Sequence, residues 1–248
     1  MRMPQNFSVL CILLSMHAWA QQLPSIDSLL KSKGVDLSLP SLQRALRDPR
    51  PDVRGLAANE LAHKRDTDSI PLIRQALSSA SGALEKVNLA AALLTLGDPE
   101  GTAALHKVCL DQDVRDDLRL NVAERLDDSG DEGCLSAVVD ILASTDYLST
   151  RSGALDYLRR NQKIPSDLTQ TLQVGLQRAL RDQIPTTRQS ASDAIALFAP
   201  PAGWTMLTKA IAVEKDDATR LKMQQDLAQL KGRNSNTPRI HNRNAQTR

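Results

Sequence analysis

The side chains best able to do chemistry in this 248-residue sequence are few and scattered. His17, His63, His106 and His241 are followed by Ala, Lys, Lys and Asn, and none has a second ligand at the spacing a metal needs. No Ser, Cys or His stands in a nucleophile motif, and no glycine-rich phosphate loop occurs. The acid-rich stretches Asp111 to Asp117 and Asp127 to Glu132 lack the alternating acids, central glycine and distant glutamate of a calcium loop. Helix capping accounts for them better. The expectation is a protein with no catalytic centre, no cofactor and no metal.

The polar residues that do recur are basic, and their recurrence is the strongest signal in the chain. Arg54, Lys86, Arg119, Arg151, Arg188 and Arg220 follow one another at steps of 32, 33, 32, 37 and 32 residues. Seven positions after each stand Leu61, Leu93, Leu126, Leu158, Ile195 and Leu227, and three after each stand Ala57, Leu89, Val122, Ala154, Ala191 and Met223. Nine before stand Ala45, Leu77, Leu110, Leu142, Ala179 and Ile211, and six before, four of the six are acidic: Asp48, Asp113, Asp182 and Glu214. Five columns in one register mark an internal repeat.

The elements that carry these columns are helices. Apolar residues at offsets of three and four, as in Leu42, Ala45 and Leu46 or Leu56, Ala57 and Leu61, line one helix face. Asp98-Pro99 and Asp131-Glu132 read as helix starts, and Gly97 and Gly130 fall just past helix ends. The composition agrees: 41% apolar residues with only 2% aromatic implies an aliphatic core of Leu, Ala, Val and Ile. Each unit is two antiparallel helices of about 10 to 14 residues.

The run Leu-x-x-Ala-Leu-x-Asp-x-x-x-x-Val-Arg-x-x-Ala-Ala-x-x-Leu, from Leu42 to Leu61, resembles the HEAT repeat, particularly the bacterial form similar to repeats in phycobilin lyases. Ile70-Pro71-Leu72-Ile73 and the Gly97-Asp98 turn share the likeness, which covers residues 39 to 230. It implies an all-α fold, a right-handed α-solenoid of about six two-helix HEAT-like repeats. It departs at the second unit, where Glu85-Lys86 replaces Val-Arg. The fourth lacks the acid and is followed by an insertion, Asn161 to Ser166, and the sixth carries Lys222 and Gln224 where small residues are expected. A more polar last unit suits a terminal cap.

In the resembling proteins such a basic ladder ties neighbouring units together. Here Arg54, Lys86, Arg119, Arg151, Arg188 and Arg220 are expected to bond carbonyls of the preceding turn and the acids Asp48, Asp113, Asp182 and Glu214 six positions back. The resemblance also places the exposed side of each second helix on a concave face. That face carries Asn59, Glu60, Asn88, Asn121, Glu124, Asp156, Tyr157, Asp193 and Asp226, which makes it a shallow, acidic groove for a peptide or a basic protein segment. Enzymes with such folds fit poorly. Deoxyhypusine hydroxylases need repeated His-Glu pairs, phycobilin lyases are cytosolic, and HEAT-like DNA glycosylases use a basic, aromatic-lined cleft.

The two ends differ from the middle. Arg2, the apolar run Phe7 to Met16 and the small residues Ala18 and Ala20 read as a signal peptide cut between Ala20 and Gln21, which implies a periplasmic or secreted protein with no membrane segment after cleavage. Residues 21 to 38 form a cap segment, with a short helix over Ser25 to Lys33. Residues 231 to 248 hold five basic residues and no acid, a composition that predicts a disordered tail, and residues 21 to 230 hold 25 basic against 29 acidic residues. The repeat register sets Cys109 and Cys134 near opposite ends of neighbouring helices, so two buried free thiols are expected. Trp204 and Phe198, flanking Pro200-Pro201, are expected to fill core at an irregular joint. The function expected is a non-catalytic scaffold or assembly factor that binds protein or peptide and no nucleic acid; the alternatives are a lyase-type enzyme and a self-assembling envelope component.

Overall fold

The computed structural model describes residues 25–161 and 163–235. The expected signal peptide and its expected cleavage point lie outside the described residues, as does the tail beyond Ser235. A short helix α1 (Ile26–Ser32), capped by the Ser25 hydroxyl, comes first. Six helix pairs follow: α2 (Leu39–Ala45) with α3 (Pro51–His63), α4 (Ile70–Ser79) with α5 (Ala83–Thr95), and α6 (Pro99–Leu110) with α7 (Asp116–Asp128). Then come α8 (Leu135–Ser144) with α9 (Leu148–Arg160), α10 (Thr169–Ala179) with α11 (Pro185–Phe198), and α12 (Gly203–Val213) with α13 (Asp217–Ser235). No strand occurs among the described residues, and no described helix is long and apolar enough to cross a membrane.

Local sequence explains where these helices start and stop. Proline opens α3, α6 and α11, where its missing amide costs nothing. The Asp98 carboxylate caps α6 by accepting from the Glu100 amide at 2.9 Å. Gly97 and Gly130 close α5 and α7 at φ +78° and +84°, a region that a Cβ disfavours. The basic anchor is the fourth residue of every second helix. One turn later, Ala57, Leu89, Val122, Ala154, Ala191 and Met223 are fully buried. Each buried leucine of these columns contributes about 1.5–3 kcal/mol over leaving it exposed.

Each second helix packs on the next, from α3 through α13, and α1 covers the outer side of α3. The first helices barely meet, apart from α8 on α10. There Gly175 makes the approach possible, since a Cβ would lie 2.7 Å from Leu142 Cγ. The result is an all-α solenoid with one continuous core.

Three expectations need correction. Cys109 and Cys134 form a disulfide, with Cα atoms 6.1 Å apart, where free thiols were expected. α8 begins three residues after Glu132, and the connection before it runs alongside α6 instead of turning at once into the new helix. Asp131 Oδ1 meets His106 Nε2 at 3.0 Å, Gly133 lies against the same ring, and Cys134 arrives beside Cys109. Cys109 faces inward there, and Leu110 of the apolar column is 53% exposed. The second correction is Trp204, which is 43% exposed and fills no core, although Phe198 packs against it partly buried. The third is that residues 231–235 continue α13 and are helical.

Candidate interaction surface

The basic ladder comes first because it sets the geometry of the second-helix face. Arg54, Arg151, Arg188 and Arg220 each donate to the backbone carbonyl six residues back, at 2.6, 2.7, 2.9 and 3.0 Å. That contact satisfies a carbonyl of the turn left without a helical partner. The carboxylates behave differently from expectation. Asp182 and Glu214 face the arginine of the preceding unit, not the one in their own.

Asp182 accepts from Arg151 at 2.5 Å, and Glu214 takes a two-pronged bond from Arg188 at 2.7 Å on each prong. Asp48, with no earlier unit to serve, pairs with Arg50, which holds its carboxyl at a pKa of about 2. Arg188 likewise holds Glu214 below the ordinary range. In the second unit Ala80 stands where the acid would be, and Glu85 takes its place on Arg54 at 2.6 Å. Lys86 is exposed, and Asp113 is an exposed turn residue whose amide bonds Asp111.

The joints without a ladder pair are held by other means. Between the second and third units α6 rests directly on α5: a Cβ on Gly101 would lie 2.5 Å from the Leu94 amide nitrogen. Between the third and fourth units the acid position is Thr145, so Arg119 turns to Cys109 O at 2.9 Å and to Asp116 of its own helix. The disulfide crosses that same joint.

The expected acidic groove is partly neutralised by cations that the sequence pattern did not single out. Arg159 lies between Asp156 (3.5 Å) and Asp193 (3.7 Å), and Arg160 reaches Glu124 (3.9 Å) and Asp127 (4.0 Å). Lys222 bonds both Asp193 and Asp226. Burial opposes the ammonium of Lys222, and the two carboxylates outweigh it, so its pKa is raised. These pairs link α7, α9, α11 and α13 into one polar face, each exposed pair contributing about 0–1 kcal/mol. A cleft of about 570 Å³ opens along it, lined by Asp156, Arg159, Arg160, Asp193, Leu197 and Gln229. The Arg159-Arg160 doublet, three and four residues after Asp156 and thus on its face of the helix, was the legible signal.

Several residues expected on this face lie elsewhere. Tyr157 is fully buried, because α9 turns its ring under Arg160 and away from solvent, with the ring centroid 6.0 Å from the guanidinium carbon. Its hydroxyl has no partner, and burial pushes its pKa up to about 12. Glu60 and Asp226 are also buried, bonded to Lys64 and to the Ser192 hydroxyl. Asn59 and Asn88 are half-buried, and Asn88 sits against Gly55 in the α3–α5 contact. Asn121 is exposed and accepts from Arg125. Among the described residues no three His, Cys, Asp or Glu side chains gather as a metal site requires.

Residues 39–117 match the model of the family described as HEAT repeats, a stretch that runs from α2 to the start of α7. The HEAT match thus covers the first two helix pairs and the third up to the start of α7, and the same pairing of helices continues through α13. Among solved structures it is similar to an engineered protein at 15% identity, over 79% of this chain and 99% of that one, with a TM-score of 0.47. A designed armadillo repeat protein gives 17% identity, 78% and 100% coverage and a TM-score of 0.46. Human deoxyhypusine hydroxylase in complex with glycerol gives 18% identity, 82% and 88% coverage and a TM-score of 0.30. No curated protein matches the chain.

Proposed function

We propose that this chain is an exported, non-catalytic scaffold or assembly factor that binds a protein or peptide along its second helices. Repeat folds of this kind mediate protein contacts in general. The observation that carries the reading is the polar face spanning α7, α9, α11 and α13, joined side by side by Arg159, Arg160 and Lys222. A face assembled from four units suits an extended partner better than a small substrate. Its three cations set among five acids select a partner by the order of charges along it as well as by a small excess of acid.

Export has separate support. The Cys109–Cys134 disulfide belongs in an oxidising compartment, and the signal-like residues 1 to 20 point the same way. The test of binding is capture of a partner from the native envelope fraction, followed by affinity measurement with E124K/D156K/D193K. A loss of tenfold or more is expected, and unchanged affinity eliminates this face. Sequencing the N-terminus of secreted protein tests export: a start at Gln21 is expected, and a start at Met1 overturns it.

A further inference from the structure

A second surface lies on the opposite side of the solenoid, between the first helices α10 and α12. Where α8 and α10 close on each other through Gly175, α10 and α12 stay apart and leave a groove of about 580 Å³. Each wall is one helical stripe. Gln170, Gln173, Val174 and Gln177 come from α10, and Thr205, Met206, Lys209, Ala210 and Val213 come from α12. These offsets of three, four and seven keep one face turned into the groove along the whole of each helix. Both walls are about 16 Å long, three turns of helix.

The lining combines two features. Val174 is 53% exposed and Val213 75% exposed, with Met206 and Leu180 beneath them, so apolar surface faces water along the floor. The lining includes two cations, Arg181 and Lys209, and no acid. Both are exposed, and neither has an ion-pair partner among the described residues. That contrasts with the second-helix face, where Arg159, Arg160 and Lys222 are all paired. Exposed apolar surface beside unpaired like charge is a mark of a binding groove.

We infer that the α10–α12 groove binds a short amphipathic helix of a partner protein, one with an aliphatic stripe flanked by acidic residues. The stripe covers Val174, Met206 and Val213, and the acids meet Arg181 and Lys209. The three glutamines supply neutral hydrogen bonds at the rim. This mode of recognition needs apolar anchors at helical spacing on the ligand, which a groove of three turns accommodates. The inference rests on the protein-binding reading and assigns it a separate surface and a partner chemistry.

The experiment uses the purified protein and two fluorescent 14-residue helix-forming peptides. They share a leucine stripe and differ only in glutamate or lysine flanks. The acidic peptide is expected to bind with a Kd on the order of 10 µM, at least tenfold tighter than the basic one. R181E/K209E is expected to reverse that preference, and V174E/V213E to weaken both peptides tenfold or more; all four side chains are exposed, so the fold is retained. Equal binding of the two peptides, or acidic binding that survives either variant, overturns the inference. Self-association abolished by V174E/V213E overturns it as well, since the occupant is then a second copy. E124K/D156K/D193K leaves peptide binding unchanged. Failure of the groove variants therefore removes this surface alone, and failure of the second-helix variant removes the other.

Discussion

Breaking the Cys109–Cys134 bond is expected to destabilise the middle of the solenoid and leave its ends alone. The bond closes a loop with a sequence separation of 25 residues, which corresponds to about 3.5 kcal/mol of lost unfolded-state entropy. For a chain of this size that is a fall of roughly 7–14 °C in melting temperature, if the chain unfolds as one unit. A repeat protein distributes the loss by neighbours. The third–fourth joint has no ladder ion pair to take over, because Thr145 stands at the acid position and Arg119 is turned to Cys109 O and Asp116. Hydrogen exchange with and without reductant is the assay. Faster exchange is expected in α6, α7 and α8, with α11 and α13 unchanged, together with a lower urea midpoint. C109A/C134A is expected to match the reduced protein. Finding both cysteines reactive in unreduced, denatured protein refutes the reasoning, as does the same midpoint in the two redox states.

Other perturbations follow from the joints. Gly101→Ala gains up to ~1 kcal/mol of helix propensity but drives a methyl group into the backbone of α5 at 2.5–2.6 Å. Overpacking wins, for a net loss of about 2 kcal/mol measurable by denaturant titration. Arg151→Ala strands the Asp182 carboxylate, whose side chain is fully buried, and is expected to cost ~3–5 kcal/mol by the same titration. Asp48 and Glu214 titrate lower in the folded protein than in the unfolded chain. Their contribution is therefore complete above about pH 5 and lost progressively as pH falls from there toward 2. Melting temperature is expected to drop across that window, and less steeply in D48N/E214Q.

Much of the fold was legible because periodicity is a property of the chain alone. The anchors, the columns three and seven residues after them, the Asp98 cap and the left-handed glycines all reappear in the helices. These depend on contacts within a turn or two, or on which face must avoid water. The second-helix face was legible only as a set of positions. Nothing local said that Arg159, Arg160 and Lys222 would reach across to the acids of neighbouring helices, or that α9 would bury Tyr157.

What the sequence determined by itself was the repeat, its length and its helical pairing, since burying one stripe of each helix leaves stacking as the outcome. Tertiary structure decided how one unit meets the next. It sent Asp182 and Glu214 to the preceding arginine, carried residues 131 to 134 along α6 so that Cys134 meets Cys109, and parted α12 from α10. The reason is physical: a joint depends on side chains some 25 to 31 residues apart, and their distance is set by how far two helices slide and tilt against each other, a freedom that no periodic pattern constrains.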